Sequence, residues 1–248
     1  MKARGGRNLG GYAIGILVLD TVIPRLPGDI GNAGTFDFPV LYRKVPGAFP
    51  DRVVRKADPT LLQPFIEGAK ELEGAGVGGI TTSCGFLAVF QRELSAAVQT
   101  PVFTSSLLMV PLLARMLPAG RKVGILTADA ASLTARHLEA VGVTPDVPHV
   151  VRGVEPGGEF ASVMLDNLAE MDVDEARDEL VGAARAMCAD HPEVGAIVLE
   201  CTNMPPHARA IQEATGRPVY DIVTLTRWVH SGLVQRAYLG ASDRAAIR

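Results

Sequence analysis

The chain has 248 residues, 48% of them hydrophobic, and a formal net charge of −3. That length can bury a substantial core as one large domain or two small ones, and the charge leaves no basic footprint for nucleic acid or a membrane surface. Three cysteines are too few for a disulfide scaffold and point to free thiols in a reducing compartment, with the cytoplasm expected.

The first twenty residues mix a basic start with an apolar stretch, but no small-residue cleavage site follows and the same strand pattern returns at 122–129. No apolar run approaches the roughly 20 residues that span a bilayer. A soluble protein with small-molecule partners is expected.

In chain order, residues 13–19 (AIGILVL) make a continuous apolar run that ends at Asp20 and Thr21. Runs of this kind mark parallel strands covered on both faces. Residues 23–47 are rich in Pro and Gly and carry Asp29, Asn32, Phe36, Phe38 and Tyr42. So long a connection reads as a functional lid or binding loop, or equally as a plain surface loop. Residues 58–76 open with Asp-Pro, show apolar residues at helical spacing and close on Gly, which predicts a helix. A second buried strand is predicted over 77–82, with Cys84 at its carboxyl end. Residues 86–97 read as helix and 101–103 as a short strand. Thr104, Ser105 and Ser106 then cap a helix running toward Met116.

The pattern restarts at residues 122–126 (KVGIL), where Gly124-Ile125-Leu126 before Asp129 repeats Gly15-Ile16-Leu17 before Asp20. A helix over 130–141, a strand near 150–152, an acidic loop over 155–159 and an amphipathic helix over 173–189 follow. Residues 195–199 predict the strand before Cys201, and 222–238 the closing helix. The alternation predicts an α/β fold of two pseudo-symmetric parallel-sheet βαβ halves. Residues 1–119 would carry Cys84 and residues 120–248 Cys201, with the active site in the cleft between them.

The two cysteines are the centre of this reading. Seventeen positions separate Cys84 from Pro101 and seventeen separate Cys201 from Pro218, with Pro-Val-Phe and Pro-Val-Tyr completing the match. Ligands of open parallel sheets collect at strand carboxyl ends, where helix N-termini present free amides. A thiol placed there is expected to have a lowered pKa and to serve as a base. The amides of Gly85 and Phe86, or of Thr202 and Asn203, would hold a substrate carboxylate. A single cysteine is more often a small buried hydrophobe, and Cys188, inside a helical pattern, is read that way.

Thr81, Thr82, Ser83, Glu200, Thr202 and Asn203 flank the thiols as substrate contacts or as caps. Asp20, Thr21, Thr127 and Asp129 close the repeated first strands and are expected to border the same cleft. The five histidines lack zinc spacing, no CxxC occurs, and neither a dinucleotide fingerprint nor a Walker A sequence is present. No metal and no nucleotide cofactor is therefore expected.

The motifs GITTSCGF (79–86), PVFTSSL (101–107), LECTNMPP (199–206) and PGDIGN (27–32) resemble the aspartate/glutamate racemase superfamily, and within it the branch of the algal dimethylsulfoniopropionate lyases. Glu200 stands where glutamate racemases usually carry glycine, Asn203 where they carry histidine, and Cys84-Gly85-Phe86 replaces Cys-Asn-Thr. The resemblance implies that Cys84 and Cys201 are the catalytic pair, that no cofactor is needed, and that the protein forms homo-oligomers. It implies proton abstraction next to a carboxylate. β-Elimination from a dimethylsulfoniopropionate-like substrate is the lead reading, and amino-acid or hydantoin racemisation the alternative. A sulfonium would want an aromatic or anionic wall, for which Asp29, Phe36, Phe38 and Tyr42 are the candidates. A binding protein without turnover is the third hypothesis, and paired thiols argue against it.

Overall fold

The computed structural model describes Gly6 and residues 9–235. Four strands belong to the first half of the chain: β1 (Ile14–Val18), β2 (Val40–Lys44), β3 (Gly79–Thr82) and β4 (Val102–Phe103). Four belong to the second: β5 (Lys122–Thr127), β6 (His149–Gly153), β7 (Val194–Leu199) and β8 (Val219–Tyr220). They form two parallel sheets, ordered β2-β1-β3-β4 and β6-β5-β7-β8. The same order in both sheets is what the sequence repeat describes.

Each sheet is entered through its second position. From β1 the chain moves outward to β2 and then returns to β3 on the other flank, so the connections diverge between β1 and β3, and likewise between β5 and β7. Such switch points leave a crevice at the carboxyl ends of the strands. The repeated Gly-Ile-Leu has a packing cause. A Cβ on Gly15 would lie 3.0 Å from Leu72 of α1 (Leu62–Ala75), and one on Gly124 would lie 2.7 Å from Met187 of α6 (Val173–Asp190). Glycine in each central strand lets its crossing helix seat against the sheet.

The remaining helices are α2 (Gln91–Ala97), α3 (Val110–Met116), α4 (Ala135–Ala140), α5 (Glu159–Asp166), α7 (Ala208–Thr215) and α8 (Ile222–Leu233). Helices of the second half reach the first. His137 of α4 meets the ring of Phe86 edge-on at 5.4 Å, and Leu233 of α8 packs over Gly78 and Gly79 at β3. One hydrophobic cluster therefore runs from Ile14 through Ile80 to Ile125 and Val198. No helix among the described residues is long and apolar enough to cross a membrane.

The structure departs from the sequence expectations in several places. β2 lies inside the segment read as loop, because an edge strand of partly buried residues lacks a continuous apolar run. α5 follows the acidic turn where no helix was expected, α4 is shorter than 130–141, and residues Asp51–Arg55 form one π-helical turn. α8 ends at Leu233, short of the expected Tyr238: Val234 and Gln235 are not helical, and residues 236–238 lie outside the described residues.

Candidate active site

Cys84 and Cys201 line one pocket. Cys84 follows β3, bound as the chain turns into a six-residue 3-10 stretch, Gly85–Phe90. Its extended backbone is set from behind by Thr82, whose hydroxyl donates to Thr104 O at 2.7 Å, with the Cys84 carbonyl 2.9 Å away as the other acceptor in reach. Cys201 sits two residues beyond β7, and its thiol donates to Asn203 Oδ1 at 3.6 Å. Two hydrogen bonds clamp the halves together beside the thiols. Thr202 Oγ1 donates to Ser83 O at 2.6 Å, and Ser106 Oγ donates to Leu199 O at 2.6 Å.

The loop after β1 reaches across this junction. Asp29, 2% exposed, accepts from Arg25 Nη1 at 3.0 Å, from the Gly31 amide at 2.6 Å and from Asn203 Nδ2. Arg25 also donates to Thr21 Oγ1 at 2.7 Å and is one of the residues lining the pocket. At Gly28, φ is +99° and a Cβ would lie 3.2 Å from Pro206 Cα, so only glycine lets this strap lie flat on the Cys201 turn.

Glu200 is the unusual group. It is fully buried, its Oε2 accepts from Thr127 Oγ1 at 2.7 Å, and its Oε1 has no hydrogen-bond partner. Burial, and secondarily Asp129, pushes its pKa up to about 8 against the Thr127 hydrogen bond. Burial also pushes Cys84 up to about 12, with the charge of Glu200 adding to it, despite the amides of Phe86 and Leu87. Cys201 is raised well above the ordinary thiol range by burial, then by Glu200. The lowered thiol pKa expected from helix N-termini is thus corrected: a short 3-10 turn offers two amides, and desolvation outweighs them.

A model of the Asp/Glu/hydantoin racemase family matches residues 54–229. The chain belongs to that family. A dimethylsulfoniopropionate lyase of Durusdinium sp. clade D is 32% identical over 242 residues, which is 95% of this chain and 80% of that protein. Dimethylsulfoniopropionate lyase 6 of Emiliania huxleyi is 32% identical over 240 residues, 93% of this chain but 62% of the relative's length. Among solved structures, an aspartate racemase homologue from Pyrococcus horikoshii superposes with a TM-score of 0.57 at 16% identity, covering 90% of this chain and 99% of that one. Family and relatives together support an enzyme; the last likeness speaks for the racemase fold alone.

Of the positions singled out in the sequence, this racemase-family pocket brings together Cys84, Cys201, Thr21, Ser83, Gly85, Phe86, Glu200 and Asn203. Thr82, Thr127, Thr202 and Asp29 stand one layer behind, each bonded to the backbone or side chain of a lining residue or its neighbour. Asp20 is elsewhere: it pairs with Lys44 at 2.9 Å and accepts from the Gly47 amide, which lowers its pKa. Asp129 caps the following turn through the amides of Ala131 and Ser132. Phe36 is core, Phe38 stacks on His230 at 3.6 Å, and Tyr42 donates to Ile30 O. The aromatic ring at the pocket is Phe86 instead.

Arg25, Val54 and Met164 also line the pocket and were not anticipated. Arg25 is a lone cation between Pro24 and Pro27, which is a faint signal. The spacing of Phe160, Val163 and Met164 in α5 is helical, a signal the sequence reading did not use. Among the described residues, no group of three or more His, Cys, Asp or Glu side chains could hold a metal ion.

Proposed function

We propose that the protein is a cofactor-independent lyase that eliminates a sulfonium group from a β-sulfonio carboxylate such as dimethylsulfoniopropionate, releasing a sulfide and an unsaturated acid. The observation that carries this reading is the make-up of the pocket. Two thiols and one arginine converge there, and most of the remaining lining, including Leu19, Ile23, Val54, Met164 and Leu165, is apolar. Arg25 suits one carboxylate, and apolar walls with the Phe86 ring suit S-methyl groups and their cationic sulfur.

In this scheme the carboxylate lies against Arg25 with the α-carbon between the sulfurs. Arg25 acts to lower the Cys84 pKa against burial, which favours loss of a proton from that thiol. The thiolate takes the α-proton, the C–H electron pair becomes the new double bond, and the C–S pair leaves with the sulfide. The thiol formed then returns its proton to solvent. Racemisation of an amino acid is the alternative that two thiols permit, one removing and the other returning the proton. An aspartate or glutamate would bring a second carboxylate, for which the lining holds no second arginine or lysine.

The test is headspace sulfide from dimethylsulfoniopropionate, run beside α-hydrogen exchange of aspartate and glutamate in deuterated water. Sulfide with acrylate is expected. Cys84→Ser and Cys201→Ser should each reduce release by about a hundredfold or more, on the scale of losing acid–base catalysis. Cys188→Ser, packed beside the second core cluster, should leave it unchanged. Exchange with inversion and no sulfide would overturn the lyase reading.

A further inference from the structure

Among the described residues, Glu200 has no salt-bridge partner to explain its burial. Its Oε1 is buried and has no hydrogen-bond partner among the described residues, and Glu200 is one of the pocket's lining residues with Gly85 and both cysteines. Room for the carboxyl exists because residue 85 has no side chain: a Cβ there would meet Glu200 Cδ at 2.9 Å and its Oε1 closer still. Arg25 lines the same pocket, but its ion pair is with Asp29 at 3.0 Å, and in the lyase scheme it faces the substrate carboxylate rather than Glu200. A carboxyl held at a pocket wall, with one oxygen unused and no cation of its own, is suited to a cation that arrives with the ligand.

We propose that Glu200 is the specificity-determining residue of this pocket, ionising against the positive group of a bound sulfonium or quaternary ammonium carboxylate and so discriminating against uncharged carboxylates of the same shape. The proposal takes its substrate class from the lyase reading. On binding, the carboxyl releases its proton to solvent, and Oε1 faces the onium group while Oε2 keeps the Thr127 hydrogen bond. The titratable groups that share the pocket with Glu200 are Cys84, Cys201 and the Asp29-paired Arg25, and the charge of Asp129 acts on it from behind. Its raised pKa, about 8, means the empty pocket holds it largely neutral near pH 7 and the substrate's charge changes that.

The experiment compares two ligands by calorimetry: trimethylammonio-propanoate and its carba analogue, in which carbon replaces nitrogen. They share one shape and differ by one charge. The parent protein should bind the cation about tenfold tighter or more, equivalent to about 1.4 kcal/mol. That ratio should grow between about pH 6 and about pH 9 as Glu200 ionises. Glu200→Gln, checked for folding by circular dichroism, should bring the ratio to within about twofold and remove its pH dependence. A merely structural Glu200 would not move this ratio. If the variant fails to fold, the pH profile of the parent decides. A parent ratio independent of pH, a variant that keeps the ratio, or a parent that binds neither ligand overturns the proposal. Retained charge discrimination without sulfide release would instead count against the lyase reading and leave the role of Glu200 standing.

Discussion

Gly85→Ala tests the tightest packing in the site. A Cβ on residue 85 would lie 2.9 Å from Glu200 Cδ and nearer to the Glu200 carbonyl oxygen and Oε1. Carbon contacts are comfortable at about 3.5–4.0 Å, and the nearer oxygens set the demand, so the methyl requires a displacement of roughly 1 Å or more. Neither obstacle yields easily. The Glu200 amide is tied to Leu126 O at 2.8 Å and its carboxyl to Thr127 Oγ1 at 2.7 Å. Overpacking a filled core costs about 1–3 kcal/mol, and the upper end applies because backbone must shift. At ~2–4 °C per kcal/mol for a chain of this size, Tm should fall by about 6–12 °C. Gly182→Ala is the control: it lies within α6, nothing stands within 4 Å of its Cβ position, and stability should rise by about 0.5–1 kcal/mol. Thermal unfolding followed by circular dichroism reads both, with sulfide release in parallel. A Gly85→Ala protein that melts within about a degree of the parent, well inside that expected shift, and keeps full turnover would refute the packing argument.

Two further outcomes follow from the same geometry. Arg25→Lys cannot keep the Asp29 and Thr21 hydrogen bonds and also face a carboxylate, so KM should rise about 10–100-fold, with less change in kcat, in steady-state kinetics. An unaltered KM would remove Arg25 from the carboxylate site. Glu200 also sets a pH dependence of stability. Its folded pKa of about 8 exceeds the ordinary 4.5, so over that interval the folded chain holds a proton that the unfolded chain has released. Stability relative to Glu200→Gln is therefore greatest in acid, falls by up to about 1.4 kcal/mol per pH unit as pH rises toward 8, and levels beyond it. Urea unfolding of both proteins at several pH values checks this, and a constant difference would contradict the neutral buried carboxyl.

The covered strands, their helical crossings and the duplicated cysteine turn were readable in the linear order of residues, because apolar runs and Gly, Pro and Asp punctuation are local signals. Gly15-Ile16-Leu17 and its repeat at Gly124 record how a helix must approach a central strand, and that constraint is written within one strand and one helix. The edge strand Val40–Lys44 was not readable, since its partly buried residues carry no run and its pairing with β1 is made by distant atoms. The same limit held at the site. Arg25 is brought to the thiols by a strap that lies on the opposite half through Asp29 and Asn203. Cys84 and Cys201 were identifiable as a pair, whereas the direction of their pKa shifts was not. Burial and the charge of a neighbouring side chain are properties of the packed interior, and they reverse what a helix terminus alone would do to a thiol.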